Sequence, residues 1–544
     1  MRKKVTEPRV AVGVIILMLS NIVVKVIGVL FKIPLRNLLG GEGMGYFDAS
    51  YNIFTNLYLI STAGLPTAIS IMVSRARKNG RKQEANRIFY ASLTLFCLIG
   101  AFCTSVMFFG SDLLASWTGS PDAGTAIAVI SPTLFLICIS SVIRGYFQGH
   151  QNMLPTALSE VIESLGKFVI GIVMGTWAFG EGKSLEICAA YAIAGVAIGE
   201  AAGMILLIFA KLFFKPDYSY SGIADDGVTT PWLSVWEKLL KISVPIMISS
   251  VALNLTSTID NFTIVNMMKS YVSDPSLAVS AYGNYSSLVF PLFHLPSAFI
   301  YPISTSIAPA ISSDKTSDHE KKKIAETVTA SIKMASVISV PCVFGMAILS
   351  KPILSLLFSD EAAINEFAPL LSIVSPAIFF SAILTVTSAI LQARGYQKKP
   401  MISMACGIAV KAIVSVVLLG IPSVGIYGAP IGTMASYFVM AAINFAFVIK
   451  YVMPEINLFR IISKPLAASV AGSVITIFVY NLIRGFGRPN VGTLASVIAT
   501  VIVYAIFLFL FREFTESDIL ILPKGKKIYD LLCKIKLMKR ESDK

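Results

Sequence analysis

The chain has 544 residues, 55% of them apolar and 14% charged, whereas soluble domains carry roughly 25% charged residues. That balance excludes a soluble enzyme and calls for membrane spans of about 20 residues, of which about fourteen recur from end to end. The net charge of +14 reports orientation rather than a polyanionic partner: seven of the 45 Lys and Arg residues fall in one set of loops (Lys32, Arg36, Lys183, Lys269, Lys351, Arg484, Arg488), three fall inside spans (Lys25, Lys167, Lys411), and the rest lie in the other set of loops and at the termini.

The positive-inside rule then predicts both termini in the cytoplasm and no nucleic-acid partner. Arg2-Lys3-Lys4 precedes an apolar run that continues to about Leu30 with no small-residue cleavage site, so the run is read as a retained first helix. Span 1 is expected at about 10–30 and span 2 at about 46–73, joined by a tight turn over 38–45; Arg75 to Lys82 follows as a cytoplasmic marker. Spans 3 and 4 are expected at about 88–110 and 124–147. Span 5, about 156–179, holds Glu160, Glu163 and Lys167 at spacings that place them on one helical face. Span 6, about 184–210, carries Glu200.

A polar linker with Asp217, Asp225, Asp226 and Pro231 separates the halves. Span 7 (about 238–268) holds Asp260 among Asn254, Thr256, Ser257, Thr258 and Asn261. Span 8 (about 276–311) is interrupted by Pro291, Pro296, Pro302 and Pro309, which predicts bends. Spans 9 to 12 follow at about 327–349, 366–391, 401–420 and 424–449. Two further spans, about 465–483 and 491–511, precede a basic tail in which Ile528, Leu531, Leu532 and Ile535 recur at helical spacing, as in an amphipathic surface helix.

The halves echo one another. Gly64-Leu65-Pro66-Thr67-Ala68 returns as His294-Leu295-Pro296-Ser297-Ala298, and Ser131-Pro132-Thr133-Leu134-Phe135 as Ser375-Pro376-Ala377-Ile378-Phe379, 244 residues on. At that offset Gln148 meets Gln392 and Lys167 meets Lys411. With an even number of spans per half, the repeats are parallel. The expected organisation is a six-helix lobe at 1–214, a cytoplasmic linker at 215–234, a second six-helix lobe at 235–451, two extra helices at 452–512 and a basic cytoplasmic tail at 513–544.

No catalytic constellation emerges, and neither a metal nor a cofactor is expected. His150, His294 and His319 are scattered, and the seven cysteines show no CxxC pairing and read as packing residues. What remains is the set of ionisable groups inside spans, each costing about 2.5–3.5 kcal/mol at mid-membrane on insertion scales. Lys25 has only apolar neighbours within a turn apart from Asn21, and a cavity-facing role is expected for it. Glu163 and Lys167 are one turn apart and can neutralise each other. Lys411 has Gly407 where Lys167 has Glu163, so the halves share the cation and differ one turn before it. Glu160, Glu163, Glu200 and Asp260 are candidates for coupling to an ion; Gly64, Pro66, Pro291 and Pro296 are candidate hinges.

This plan of two six-helix halves with two extra helices resembles the multidrug/oligosaccharidyl-lipid/polysaccharide exporter superfamily. Lys25-Val26-Ile27-Gly28, Lys32-Ile33-Pro34-Leu35, Leu39-Gly40, Glu42-Gly43, Ser61-Thr62-Ala63-Gly64-Leu65-Pro66, Arg144-Gly145-Tyr146-Phe147-Gln148-Gly149 and Pro155-Thr156-Ala157 resemble the branch of stage V sporulation protein B and the MurJ-type lipid II flippases. The resemblance implies an all-α polytopic fold with a V-shaped pair of lobes around a cationic cavity, in the bacterial plasma membrane. It implies a flippase that carries an undecaprenyl-diphosphate-linked sugar, foremost the peptidoglycan precursor lipid II, to the outer leaflet. Substrate-binding candidates are Lys25, Lys32, Arg36, Asn52, Lys167 and Lys411; the expected partners are the lipid-linked sugar, membrane lipids and the cell-wall synthesis machinery. The chain departs from the better-studied MurJ branch where further cavity arginines are expected, reading Leu57-Tyr58-Leu59 and Phe290-Pro291-Leu292. An antiporter for small cations, which would want acidic cavity walls, and a flippase for another polysaccharide unit are the alternatives.

Overall fold

The computed structural model describes residues 7–214, 227, 230–311, 318–453, 458–484 and 489–511. Among them there is no strand, and the chain is an all-α polytopic membrane protein. The basic amino terminus, most of the linker at 215–234 and the tail at 513–544 with its expected amphipathic helix lie outside the described residues.

Helix α1 (Glu7–Thr62) would measure about 84 Å as a straight rod, and it is broken at Gly40 (φ 68, ψ −171), a conformation essentially confined to glycine. Lys32 and Asp48, about 24 Å apart along an unbroken helix, form an ion pair of 2.9 Å, so the chain folds back at Gly40 into two arms. The expected turn over 38–45 thus contracts to one residue. Gly41 and Gly45 are helical, and a Cβ at Gly45 would meet the Val279 carbonyl oxygen at 2.5 Å. Gly64 (φ 81) then separates α1 from α2 (Leu65–Lys78), whose first turn holds Pro66. Span 2 is therefore two pieces.

There follow α3 (Lys82–Phe109), the short α4 (Ser111–Trp117), α5 (Gly124–Ile130), α6 (Pro132–Gly149), α7 (Leu154–Gly180) and α8 (Leu185–Phe213). After the linker come α9 (Trp232–Met268) and α10 (Pro275–Asn284), a π-turn at Tyr285–Val289, α11 (Phe290–His294) and α12 (Ser297–Ile311). Span 8 is interrupted before Pro291 and at Pro296, whereas α12 runs through Pro302 and Pro309 without a break. The chain continues through α13 (Asp318–Ile348), α14 (Ser350–Leu357), α15 (Glu361–Val374), α16 (Pro376–Ala393), α17 (Lys398–Leu419), α18 (Gly428–Tyr451), α19 (Leu458–Arg484) and α20 (Pro489–Leu510). The repeat is visible in the breaks: Ser131-Pro132 divides α5 from α6 as Ser375-Pro376 divides α15 from α16.

Among the described residues nine helical stretches are long and apolar enough to cross a membrane, ten with α9. The other expected spans fall on α1 and α2, on α7 and on α10 to α12. Two compact units result, Met1–Ser287 and Leu288–Lys544. Phe102, Phe109, Val173 and Trp177 are exposed on the first and Phe478 and Val501 on the second, while many serines are buried, as suits an apolar solvent.

Small residues set the closest packing. On α8, Gly199 and Gly203 let α7 approach until a Cβ at either would lie 2.6 Å from the Glu163 carbonyl oxygen or 3.0 Å from that of Ser159. This approach carries Glu200 into the interior. In the second unit Tyr504 of α20 donates to the Val337 carbonyl of α13 at 2.8 Å, and Val337, Ala468, Tyr504 and Leu508 form a small core that fastens α19 and α20 to α13.

Candidate functional site

Within the first unit a cavity of about 360 Å³ opens between both arms of α1, α6, α7 and α8. The second arm contributes aromatic side chains at helical spacing: Phe47 stacks on Tyr51 (centroids 6.1 Å apart) and Phe54 on Tyr58 (6.2 Å). Lys167 of α7 reaches over this layer, its Nζ 4.1 Å from the Tyr51 ring centroid and 5.2 Å from that of Phe31. Rings hold the ammonium by their negative faces and use none of its hydrogen-bond donors.

Arg144, on α6, enters the same space. Its Nη2 lies 3.0 Å from Glu163 Oε2 and its Nε donates to Ser159 Oγ at 3.1 Å. Glu163 is thus paired with Arg144, and the expected pairing of Glu163 with Lys167 gives way to one between helices. Glu160 accepts from Ser20 Oγ at 3.3 Å. Glu200 is fully buried behind Glu163: its polar neighbours are Glu163, Arg144 and Ser140, and no hydrogen bond reaches either carboxylate oxygen among the described residues.

Of the expected substrate-binding residues only Lys167 lines this cavity. Lys25 is exposed and stands beside the face of α1 that does so, which runs through Asn21, Val24, Gly28 and Phe31. Lys32 and Arg36 are drawn into contacts with α10 and the π-turn. Lys32 Nζ donates to Asp48 (2.9 and 3.0 Å) and to the Ser286 carbonyl (3.1 Å), Ser286 Oγ donates to Asp48 Oδ2 (2.6 Å), and Arg36 Nη2 donates to Asn284 Oδ1 (2.5 Å). Asn52 accepts from Asn56 (3.1 Å), which also donates to Thr258 (2.8 Å) and accepts from Asn254 (3.0 Å), an amide ladder joining α1 to α9. Lys411 is buried in the second unit and donates to Thr433 Oγ1 at 2.8 Å.

Among the coupling candidates, Glu160, Glu163 and Glu200 come together and Asp260 is buried in α9 outside the cavity lining. Gly64 occupies the α1–α2 break, where a Cβ would meet Ile246 of α9 at 2.8 Å; Pro66 sits in the turn after it, Pro291 is the second residue of α11 and Pro296 lies between α11 and α12. Among the described residues no group of three His, Cys, Asp or Glu is placed to hold a metal ion.

Arg144, Tyr51 and Tyr58 are the lining residues that sequence reasoning passed over. Arg144 was legible only as part of a motif; its signal was that, 244 residues on, the repeat has Ser388.

Comparison with known proteins follows the same lines. The chain is 26% identical over 526 residues to stage V sporulation protein B of Bacillus subtilis, covering 94% of this chain and 97% of that one. It is 25% identical over 428 residues to the lipid II flippase MurJ of the same organism, covering 75% and 77%. The solved structure of lipid II flippase MurJ in an inward closed conformation shares the fold, with a TM-score of 0.69 at 15% identity over 91% of this chain and 98% of that one. Residues 245–417 also match the MatE family. Residues 10–315 match the polysaccharide biosynthesis protein family, and the chain belongs to that family, a transporter of the superfamily that contains flippases and multidrug exporters.

Proposed function

We propose that this protein flips an undecaprenyl-diphosphate-linked sugar, foremost lipid II, from the inner to the outer leaflet of the bacterial plasma membrane, with both termini cytoplasmic. The observation that carries the reading is Lys167, held over Tyr51 and Phe31 with its donors directed to no carboxylate among the described residues. A diphosphate needs such donors to replace its hydration. Arg144 adds a second cation 3.0 Å from Glu163 that an anion can compete for, and the Asn52, Asn56, Asn254 and Thr258 ladder offers amides and hydroxyls to sugar groups when its helices part.

Transport proceeds by alternating access, with bending at Gly64–Pro66 and at Pro291 and Pro296. An inside-negative potential drives the anionic head outward by about 2.3 kcal/mol per charge for each 100 mV, so no ATP is needed. Glu160 and Glu163 in the lining favour one rival, an antiporter for small cations. Depletion in cells discriminates the two. Lipid II accumulating in the inner leaflet supports the flippase; unchanged lipid-linked glycans with lost drug efflux support the antiporter; accumulation of another lipid-linked glycan reassigns the substrate.

A further inference from the structure

The duplication supplies an internal control for the charge cluster. Shifted by 244 residues, Arg144, Ser159, Glu163 and Glu200 become Ser388, Ser403, Gly407 and Asn444. In the second unit those positions again meet. Asn444 Nδ2 donates to Ser388 Oγ and Ser403 Oγ donates to Asn444 Oδ1, each at 2.7 Å, a neutral set in which Asn444 and Ser403 are fully buried. The serine is common to both halves even in its local bond, to the Thr156 carbonyl in one and the Pro400 carbonyl in the other, both at 2.8 Å. Packing three helices at this point therefore requires only neutral groups. The first half places a guanidinium and two carboxyls there, at a cost in desolvation that helix packing does not explain.

The charges do not balance within the cluster. Arg144 pairs with Glu163, while Glu200, in contact with Glu163 and buried, accepts no hydrogen bond among the described residues. Two carboxyl groups in contact share a proton or repel each other. The groups facing them are Arg144 and Ser140 from α6, Glu160 and Lys167 on α7, and Tyr58 from α1. Lys167 lies over rings and leaves its donors to an anion, while Arg144 is already paired with Glu163, so it is the cation that Glu163 and an incoming anion contest.

We propose that binding of a diphosphate anion in this cavity is linked to uptake of a proton by Glu163: a phosphate oxygen takes the Arg144 guanidinium, and the carboxylate released, left beside buried Glu200 without its cation, is protonated from solvent. One N–H···O contact is exchanged for another, and one O–H bond forms on Glu163 as the corresponding bond of a hydronium ion or buffer acid breaks. The head then crosses with one negative charge fewer, and the potential that drives it outward acts on that smaller charge. This rests on the anionic-substrate reading above.

The test uses the full chain in nanodiscs with geranyl diphosphate as the probe, titrated calorimetrically in buffers of different ionisation enthalpy. Wild type should take up about one proton per diphosphate bound, and its affinity should fall about tenfold per pH unit across the range of uptake. Glu163→Gln should bind the probe with no net uptake and no such pH dependence. Glu163→Gly/Glu200→Asn copies the second half, guards against misfolding of the single variant, and should behave likewise. Binding by wild type without proton uptake, uptake that persists in Glu163→Gln, or affinity that follows sodium instead of pH overturns the inference and leaves the substrate reading standing. Failure of the probe to bind wild type at any pH overturns both.

Discussion

Replacing Asp48 with alanine removes the carboxylate that receives Lys32 and Ser286 where α1 folds back. At 2.9 Å and an effective dielectric of about 20, the gross attraction of the Lys32–Asp48 pair is about 6 kcal/mol. Desolvation offsets much of it, and Asp48 is 5% exposed while Lys32 keeps 22%, so we expect a net cost of about 2–4 kcal/mol, slightly below that of breaking a fully buried pair. Most of that cost is the stranded Lys32 ammonium. A double variant, Lys32→Met/Asp48→Leu, should therefore recover most of the stability lost in Asp48→Ala. Hydrogen–deuterium exchange over Gly41–Gly45 and Pro275–Asn284 reads the local opening directly, and 2–4 kcal/mol corresponds to about 30- to 1,000-fold faster exchange in the single variant. Exchange in Asp48→Ala within twofold of wild type, or a double variant no better than the single one, would refute the reasoning.

Lys167→Ala should lose transport of a lipid-linked diphosphate at least tenfold in a reconstituted flipping assay, Lys167→Arg should keep much of it, and Lys25→Ala should lose less than Lys167→Ala because Lys25 stands outside the lining. Gly283→Ala should destabilise the first unit by about 1–3 kcal/mol, since its Cβ would collide with the Gly41 carbonyl oxygen; a thermal shift in detergent checks it, and an unchanged transition counts against so close a crossing of α1 and α10. His150, just past α6, is pushed down to about 4 by burial, opposed by its bond to the Tyr146 carbonyl and aided by the charges of Arg77 and Lys211. The unfolded chain therefore binds a proton from about pH 6.5 downward that the folded chain refuses until about 4, so stability should fall by up to ~3 kcal/mol between those pH values. His150→Gln should flatten that slope in melts between pH 7.5 and 4.5.

What the chain declares by itself is whatever depends on local composition and period. Apolar runs announce helices because hydrocarbon leaves the backbone no other partner than itself. Gly64, Pro291 and Pro296 announce breaks because φ above zero and a missing N–H are properties of single residues, and the structure interrupts its helices at each of these places; Ser131-Pro132, expected within a continuous span, is a further break. The duplication was likewise readable as paired motifs at fixed offsets.

Contacts between distant residues were not. Glu163 has Lys167 one turn away in sequence, yet it pairs with Arg144, nineteen residues distant, because glycines let α7 and α8 close while α6 delivers its guanidinium from the side. Lys32 and Arg36 carry charges suited to a phosphate, and the reversal at Gly40 instead brings Asp48 and Asn284 to them. Lys25 and Lys167 are both lysines within expected spans; only the rotation of each helix about its axis, set by packing, puts Lys167 over Tyr51 and turns Lys25 away from that lining. Composition determines that a charge lies within a membrane span, and tertiary packing decides which charge meets it, since the cost of an ion at low dielectric depends on the few ångströms around it.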